Sequence, residues 1–296
     1  MAGIFGHLVD CQSLHFITQL SVLSLWATVR LLGLLFRTHG LMAGLVRQVG
    51  HSLMNIASGG LNLLFPPRCA YCRVDIAEPE DHLPICPECC RRMVPEKWVG
   101  CRHCGGAISG DGESSDHCSL CKHPPLLFDT VVAMGGYQDN LRDVILRMKN
   151  PRQETLTLAM GRLFVQKRFS ELSGLGVEMI VPVPMYWKRR LVRGTNSAEL
   201  LARCLGRKLG LPVRRRLLVR CKNTKPQSEL SPKKRFSNMR GAFRVRTPHL
   251  LQDARVLLVD DVLTTGATGS EAAGVLKKAG ASMVAVAVIA RAQGKE

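Results

Sequence analysis

Aromatic residues are scarce in this chain, 5% of 296 positions, which leaves little material for extended base-stacking surfaces. Acidic residues are scarce in one long stretch. Between Val181 and Leu250 nineteen Lys or Arg face only Glu199 and Glu229, so that this segment holds a net +17 in a chain whose formal charge is +18. Such a segment implies a polyanionic partner (pyrophosphate, nucleic acid or an anionic membrane surface), or else a solvated basic face. A secretory start is also missing: no Lys or Arg precedes Arg30, whereas Asp10 does. Arg30 interrupts the apolar stretch Leu14–Phe36 before it offers the ~20 residues that span a bilayer. Without an export signal, the twelve cysteines point to metal ligation in a reducing cytoplasm rather than to disulfides.

What is present divides the chain into three parts. Residues 1–60 read as an apolar helical leader. Its polar residues Gln19, Ser21, Ser24, Thr28 and Arg30 do not share one helix face. Two expectations follow: a peripheral or partner-binding helix, or a natural start at Met42 or Met54. Residues 61–125 form a cysteine module. Cys69, Cys72, Cys86 and Cys89 have the spacing C-x2-C-x13-C-x2-C, and Cys101, Cys104, Cys118 and Cys121 repeat it 32 residues later, with Ile76 and Ile108 in register. Each C-x2-C hook lets two thiolates reach one ion from a tight turn, and two hooks complete a tetrahedral S4 site of the zinc type. Four protein ligands leave no open position, so two structural zinc ions are expected. Sequential and cross-braced pairings of the hooks both remain open, and Cys90 is read as a bystander.

Residues 126–296 alternate strand and helix patterns. Strands are expected at Phe128–Met134, Val177–Pro184, Leu217–Arg220, Arg255–Asp261 and Met283–Ala290. Helices are expected at Asn140–Lys149, Thr155–Ser170, Asn196–Leu209 and Gly266–Ala279. This is an α/β domain with a parallel sheet flanked by helices and a ligand crevice at the strand carboxyl ends.

The stretch RVLLVDDVLTTGATGSEAAGVLKKAG, from Arg255, organises that domain. An apolar strand leads to Asp260 and Asp261. A small loop of Thr264, Thr265, Gly266, Ala267 and Thr268 then opens a helix. A helix start offers unpaired N–H groups and the positive end of a dipole, the arrangement that binds a phosphate. No Gly-Lys-Ser/Thr follows the glycine, so this is not a Walker A loop. Earlier, Lys188, Arg189, Arg190 and Arg193 follow the strand ending in VPVP, and Asn196 stands near the next helix start. A basic loop there is a pyrophosphate cradle in the making. From Lys225 the sequence reads as a long mobile connection anchored by Phe236, Met239 and Phe243.

VLLVDDVLTTGAT resembles the phosphoribosyl-pyrophosphate (PRPP) motif of type I phosphoribosyltransferases. LLFPPRCAYC, the eight cysteines, VPVP, RGTNSAELLA, PQSELS, NMRGAF and this motif occur in the order found in the ComF family of competence-associated proteins. Those pair a double zinc ribbon with a phosphoribosyltransferase-like domain. Two departures stand out: the family's aromatic-Asn-Gln reads Thr195-Asn196-Ser197 here, and its basic-aromatic step reads Lys149-Asn150.

The resemblance implies PRPP binding with Mg2+. Asp260 and Asp261 would hold the ribose hydroxyls, directly or through Mg2+ and water. Thr264, Thr265, Gly266, Ala267 and Thr268 would hold the 5′-phosphate, and Lys188, Arg190, Arg193 and Asn196 the pyrophosphate. It assigns no catalytic residue. Enzymes acting on 6-oxopurines carry an aspartate where Thr264 stands, which argues against guanine or hypoxanthine salvage. Three functions follow: a PRPP-binding accessory protein of DNA uptake that handles single-stranded DNA, a PRPP-dependent glycosyltransferase, and a PRPP sensor without turnover. The expected partners are PRPP, single-stranded DNA and the DNA-uptake machinery at the inner membrane face. The expected location is the cytoplasm, with or without peripheral contact to the membrane, and no transmembrane helix.

Overall fold

The computed structural model describes residues 66–76, 83–94, 98, 100–108, 118, 121, 125–225 and 230–292. The leader reading of residues 1–60 lies outside them. The chain divides into two compact units, Met1–Pro66 and Pro67–Glu296, so the described cysteine residues share a unit with the sheet.

That sheet has four parallel strands. Their sequence is β-branched and apolar because both faces are covered. β1 (Thr130–Gly136), β2 (Met179–Pro182), β5 (Arg255–Leu263) and β6 (Met283–Arg291) lie in the order β1-β6-β5-β2. Val256, Leu257, Leu258 and Val259 are fully buried. Each contributes about 1.5–3 kcal/mol of apolar burial. Two short strands, β3 (Leu218–Arg220) and β4 (Phe243–Val245), pair antiparallel beside the sheet.

Helices cover both faces. α2 (Asp139–Met148), α3 (Glu154–Lys167) and α6 (Ser197–Leu209) pack on one side with Leu257 and Val259. α2 turns Leu141, Val144, Ile145 and Met148 inward, as its 3.6-residue period requires. α6 is capped at its start by the Asn196 side chain, which accepts from the Ala198 N–H, and it ends at Gly210 in the left-handed region at φ 70°. The first cysteine group and the short helix α1 (Pro87–Met93) join this face, with Cys69, Ile85, Cys89 and Met93 in the core shared with α2 and α3. On the opposite face, α8 (Ala267–Lys278), the β3–β4 pair and α7 (Pro232–Met239) cover Val256 and Leu258.

Several elements differ from the sequence expectation. β5 does not end at the aspartates: its pairing with β6 continues to Leu263 opposite Arg291, so Asp260 and Asp261 stand within the strand. Phe128 is outside β1 and packs beneath the start of α8, close to Gly266 and Gly269. The Thr155–Ser170 helix is two helices, α3 and α4 (Phe169–Gly174), broken at Arg168. The basic stretch after β2 is a helix, α5 (Trp187–Arg193), rather than a loop. In the connection read as mobile, Pro232 opens α7 because proline suits the first helical position. Met239, Ala242 and Phe243 are buried there, and residues 226–229 lie outside the described set.

Candidate functional site

The two cysteine groups are sequential: Cys69, Cys72, Cys86 and Cys89 gather in one, and Cys101, Cys104, Cys118 and Cys121 in the other, all Sγ atoms of a group within 4.8 Å of one another. The cross-braced alternative is thereby set aside. Sγ separations of 3.7 Å (Cys72–Cys86), 3.4 Å (Cys101–Cys121), 3.4 Å (Cys104–Cys118) and 3.7 Å (Cys118–Cys121) approach the ~3.8 Å edge of a tetrahedron whose metal–sulfur bonds are ~2.3 Å. The donor set therefore fits a tetrahedral metal ion. Backbone N–H groups of Cys86, Cys89 and Gly106 donate to the sulfurs of Cys69, Cys86 and Cys104, which favours thiolates. Burial raises the Cys69 thiol, but the backbone N–H bonds from Cys72, Cys86 and Tyr71 outweigh it and leave the group at about 7. Burial and its sulfur neighbours push Cys89 up. Four thiols crowded together cannot all ionise without a cation, which is what a metal would supply. Cys90 stands outside the group, near the Ile85 carbonyl.

At the far end of β5 the period of two divides the aspartates between the faces of the sheet. Asp260 follows Val256 and Leu258 towards β3, where Arg220 acts on it. Asp261 follows Leu257 and Val259 towards α6, where the Ser197 hydroxyl donates to its Oδ2 at 3.3 Å. Burial, then repulsion from Asp261, holds the Asp260 carboxyl well above its ordinary value, against the pull of Arg220. Arg220 is itself lowered by burial and by Arg189, and its Nε is buried without a partner. Arg189 also donates to the Thr224 carbonyl at 2.7 Å. Asp260, Arg220 and Arg189 thus form one electrostatic cluster; the sequence points to the aspartate and to Arg189 as part of a basic loop, but not to Arg220.

The loop after β5 ends in α8 with Gly266 as its N-cap at φ 85°. A Cβ there would lie 2.7 Å from the Leu126 side chain. Glycine is therefore required by the backbone angle and by Leu126, before any ligand is considered. Gly266, the N-cap of α8, has no side chain with which to cap the helix start. Thr264 and Thr268 are half-buried and Ala267 is buried. The Thr265 hydroxyl is buried with no hydrogen-bond partner.

The cations expected after β2 are placed by α5. Lys188 lies over the Trp187 ring, 5.5 Å from its centroid. Arg190 makes a two-pronged pair with Glu199 of α6, at 2.5 and 3.0 Å, and Arg193 is the last residue of the helix. Asn196 is buried, its amide donating to the Val183 carbonyl at 3.1 Å while its oxygen caps α6. Its amide is thus engaged by the fold on both sides.

Arg291 is the residue that the sequence hid most completely. It closes the apolar run of β6 and is 4% exposed. Its Nε donates to the Cys104 carbonyl at 2.7 Å, and its Nη1 donates to the carbonyls of Leu263, at 3.2 Å, Thr264 and Ala292. One guanidinium thus bonds both the second cysteine group and the first residue of the loop at the helix start. Arg291→Ala leaves several buried carbonyls unsatisfied and should lower stability by about 3 kcal/mol in denaturant unfolding. Arg291→Lys should recover only part of this, because an ammonium lacks the planar fork. Equal stability of Arg291→Ala and the natural chain would show that these bonds carry no weight.

A parallel sheet whose strand β5 carries two aspartates near its carboxyl end, followed by a hydroxyl-rich turn and a helix start at Gly266, defines a phosphoribosyltransferase-like domain. Residues 195–296 match the family described as phosphoribosyl transferase domain. The chain is 32% identical to competence protein F of Haemophilus influenzae over 231 residues, covering 76% of this chain and 97% of that protein. It is 30% identical to DNA utilization protein YhgH of Escherichia coli K12 over 232 residues, 77% of this chain and 99% of that one. Competence protein ComFC of Bacillus subtilis is 26% identical over 140 residues, 45% of this chain and 51% of that protein. The chain belongs to the competence protein F family. No helix among the described residues is long and apolar enough to cross a membrane.

Proposed function

We propose that this protein binds PRPP at the β5–α8 loop and handles single-stranded DNA during its uptake. In this reading residues 126–296 are the phosphoribosyltransferase-like domain, residues 61–125 a double zinc ribbon and residues 1–60 a leader. The observation that carries the first half is the Thr265 hydroxyl, buried without a partner in the turn before the uncapped start of α8. A buried polar atom left unbonded costs about 1–3 kcal/mol, and a 5′-phosphate accepting from it and from the N–H groups of Gly266, Ala267 and Thr268 would recover that cost. Thr264 completes the loop. Asp260 and Asp261 accept from the ribose hydroxyls. Mg2+, when bound beside them, would supply positive charge that favours ionised carboxylates and offsets the charge of the pyrophosphate. Lys188, Arg190 and Arg193 are the candidate pyrophosphate partners, with Asn196 holding the start of α6 behind them.

The DNA half rests on the names of the relatives, competence protein F and DNA utilization protein, and on the +17 segment. A location in the cytoplasm, at the inner face of the membrane, follows from that role. Phosphoribosyl transfer is the second reading, favoured by the domain match. In that reaction an acceptor attacks C1′ of PRPP as the bond to pyrophosphate breaks, and the cations of α5 take up the developing negative charge. Thr264 provides no general base at the position where 6-oxopurine enzymes carry an aspartate. Two assays separate the readings. Single-strand affinity that falls steeply with salt, with no pyrophosphate released from PRPP on addition of candidate amine or nucleobase acceptors, fits the accessory role. Steady pyrophosphate release without single-strand affinity would replace it with the enzyme.

A further inference from the structure

We propose that the protein has a second anion site, an arginine-lined cavity between α5, α6 and the β3–β4 pair, that takes a multiply phosphorylated ligand. The cavity is an open pocket of about 680 Å³ lined by Arg190, Glu199, Arg214, Arg215, Arg216 and Arg246; of the residues proposed for PRPP it shares Arg190 alone and none from Asp260 to Thr268. A volume of this size suits a nucleotide-sized ligand.

The fold assembles these groups from separate segments. Ile180 of β2 accepts from the Arg214 N–H at 2.8 Å, which lays residues 213–214 along the edge of the sheet. The chain then turns, the Leu217 N–H donating to the Arg214 carbonyl, and the Arg246 N–H donates to the Leu217 carbonyl at 2.8 Å. Three consecutive arginines are thereby held facing the end of β4 and the Arg190–Glu199 pair.

Charge decides what such a cavity accepts. Five guanidiniums and one carboxylate leave a net +4. The one carboxylate, Glu199, is already taken by both Nη atoms of Arg190. Among the described residues, the side chains of Arg214, Arg215, Arg216 and Arg246 have no hydrogen-bond or ion-pair partner, although cations elsewhere on the surface do find acids, as in Arg68–Asp75, Arg147–Asp143 and Lys277–Asp129. Unpaired guanidiniums repel one another, and their planar forks match phosphate oxygens. Several phosphates close together satisfy them all, whereas one small anion does not. The cation-rich wall gives no preference between the successive phosphates of a nucleic-acid strand and those of a free polyphosphate. The strand source rests on the proposed DNA handling; the site itself does not.

The test uses the full chain and two probes, inorganic tripolyphosphate and a fluorescent oligothymidylate. One variant carries Arg215→Gln, Arg216→Gln and Arg246→Gln, all exposed side chains. A second loses the same charge outside the cavity, with Arg203→Gln, Arg207→Gln and Lys208→Gln on the exposed side of α6. The cavity variant should lose at least tenfold in tripolyphosphate affinity and the helix variant less than threefold, with PRPP affinity unchanged in both. If the strand is the source, tripolyphosphate displaces the oligonucleotide and the slope of log affinity against log salt falls by about 2 in the cavity variant alone, from three lost contacts at about 0.7 each. If oligonucleotide binding is untouched while tripolyphosphate binding is lost, the ligand is a free polyphosphate. Equal losses in the two variants, or no binding of either probe to the natural chain, overturns the site. Absence of PRPP binding with the cavity result intact counts against the β5–α8 reading alone.

Discussion

Asp260→Asn combined with Asp261→Asn is expected to abolish PRPP binding while metal content stays unchanged. Each carboxylate would accept charge-assisted hydrogen bonds worth about 1.5–3 kcal/mol, so the loss should be on the order of 100-fold or more. The same substitution should have the opposite effect on the empty protein. Asp260 keeps its proton in the fold to a pH well above its ordinary 3.8, chiefly through burial and Asp261. A carboxyl so raised lends stability that is complete below 3.8 and is lost as pH rises through the folded value. Asp260→Asn removes that loss, so the unliganded variant should melt higher than the natural chain at neutral pH, with the difference vanishing below pH 3.8. A cation beside Asp260 favours the ionised form, so binding of PRPP with Mg2+ should release a proton and strengthen as pH rises through the shifted value. Normal PRPP affinity in the double variant would remove these aspartates from the site.

Metal removal should have the largest effect on stability, and the two cysteine groups should respond differently. Structural zinc in small modules is worth about 10–16 kcal/mol at neutral pH, far more than such a module's own core provides. Cys69, Cys86 and Cys89 share a core with Leu141, Val144 and Leu163. Tyr71 donates to Asp143 at 2.9 Å, and Arg147 stacks 4.7 Å from the Tyr71 ring. Cys86→Ser should therefore release one metal ion and uncover α2 and α3, seen as a lower melting temperature with PRPP affinity nearly unchanged. The second group packs around Leu126, the residue that fits against Gly266, and its Cys104 carbonyl accepts from Arg291. Cys104→Ser should release one metal ion and weaken PRPP binding as well. Metal content by chromophoric chelator titration, with calorimetry on each variant, separates the two effects. Identical PRPP affinities in Cys86→Ser and Cys104→Ser would show that the second group does not support the loop.

Much of this arrangement was legible in the sequence because short-range patterns carry it. Eight cysteines at a repeated spacing define two tetrads without reference to any tertiary contact, although only the folded chain separates sequential from cross-braced pairing. The apolar run Val256–Val259, the glycine at 266 and the small-residue helix behind it locate the loop. Two helices lie where the sequence suggests a basic loop and a mobile connection: Trp187–Arg193 forms one, and Pro232 begins the other. The contacts that tune the site were invisible because they join residues far apart in the chain. Arg220 acts electrostatically on Asp260 across 40 positions, and Arg291 bonds the Cys104 carbonyl across 187. A lone arginine after an apolar strand looks like a surface residue, and no local pattern marks it as buried. Asn196, by contrast, was visible but its setting was not, since its amide bonds Val183 across the strand end.

The most direct test is calorimetric titration of PRPP with Mg2+ into the full chain, with and without a single-stranded oligonucleotide. The expected result is saturable binding of one PRPP per chain, with an affinity that changes when the oligonucleotide is present. No heat of binding under either condition would contradict the account, leaving the β5–α8 loop without its ligand and the protein as a metal-ribbon scaffold with a basic face.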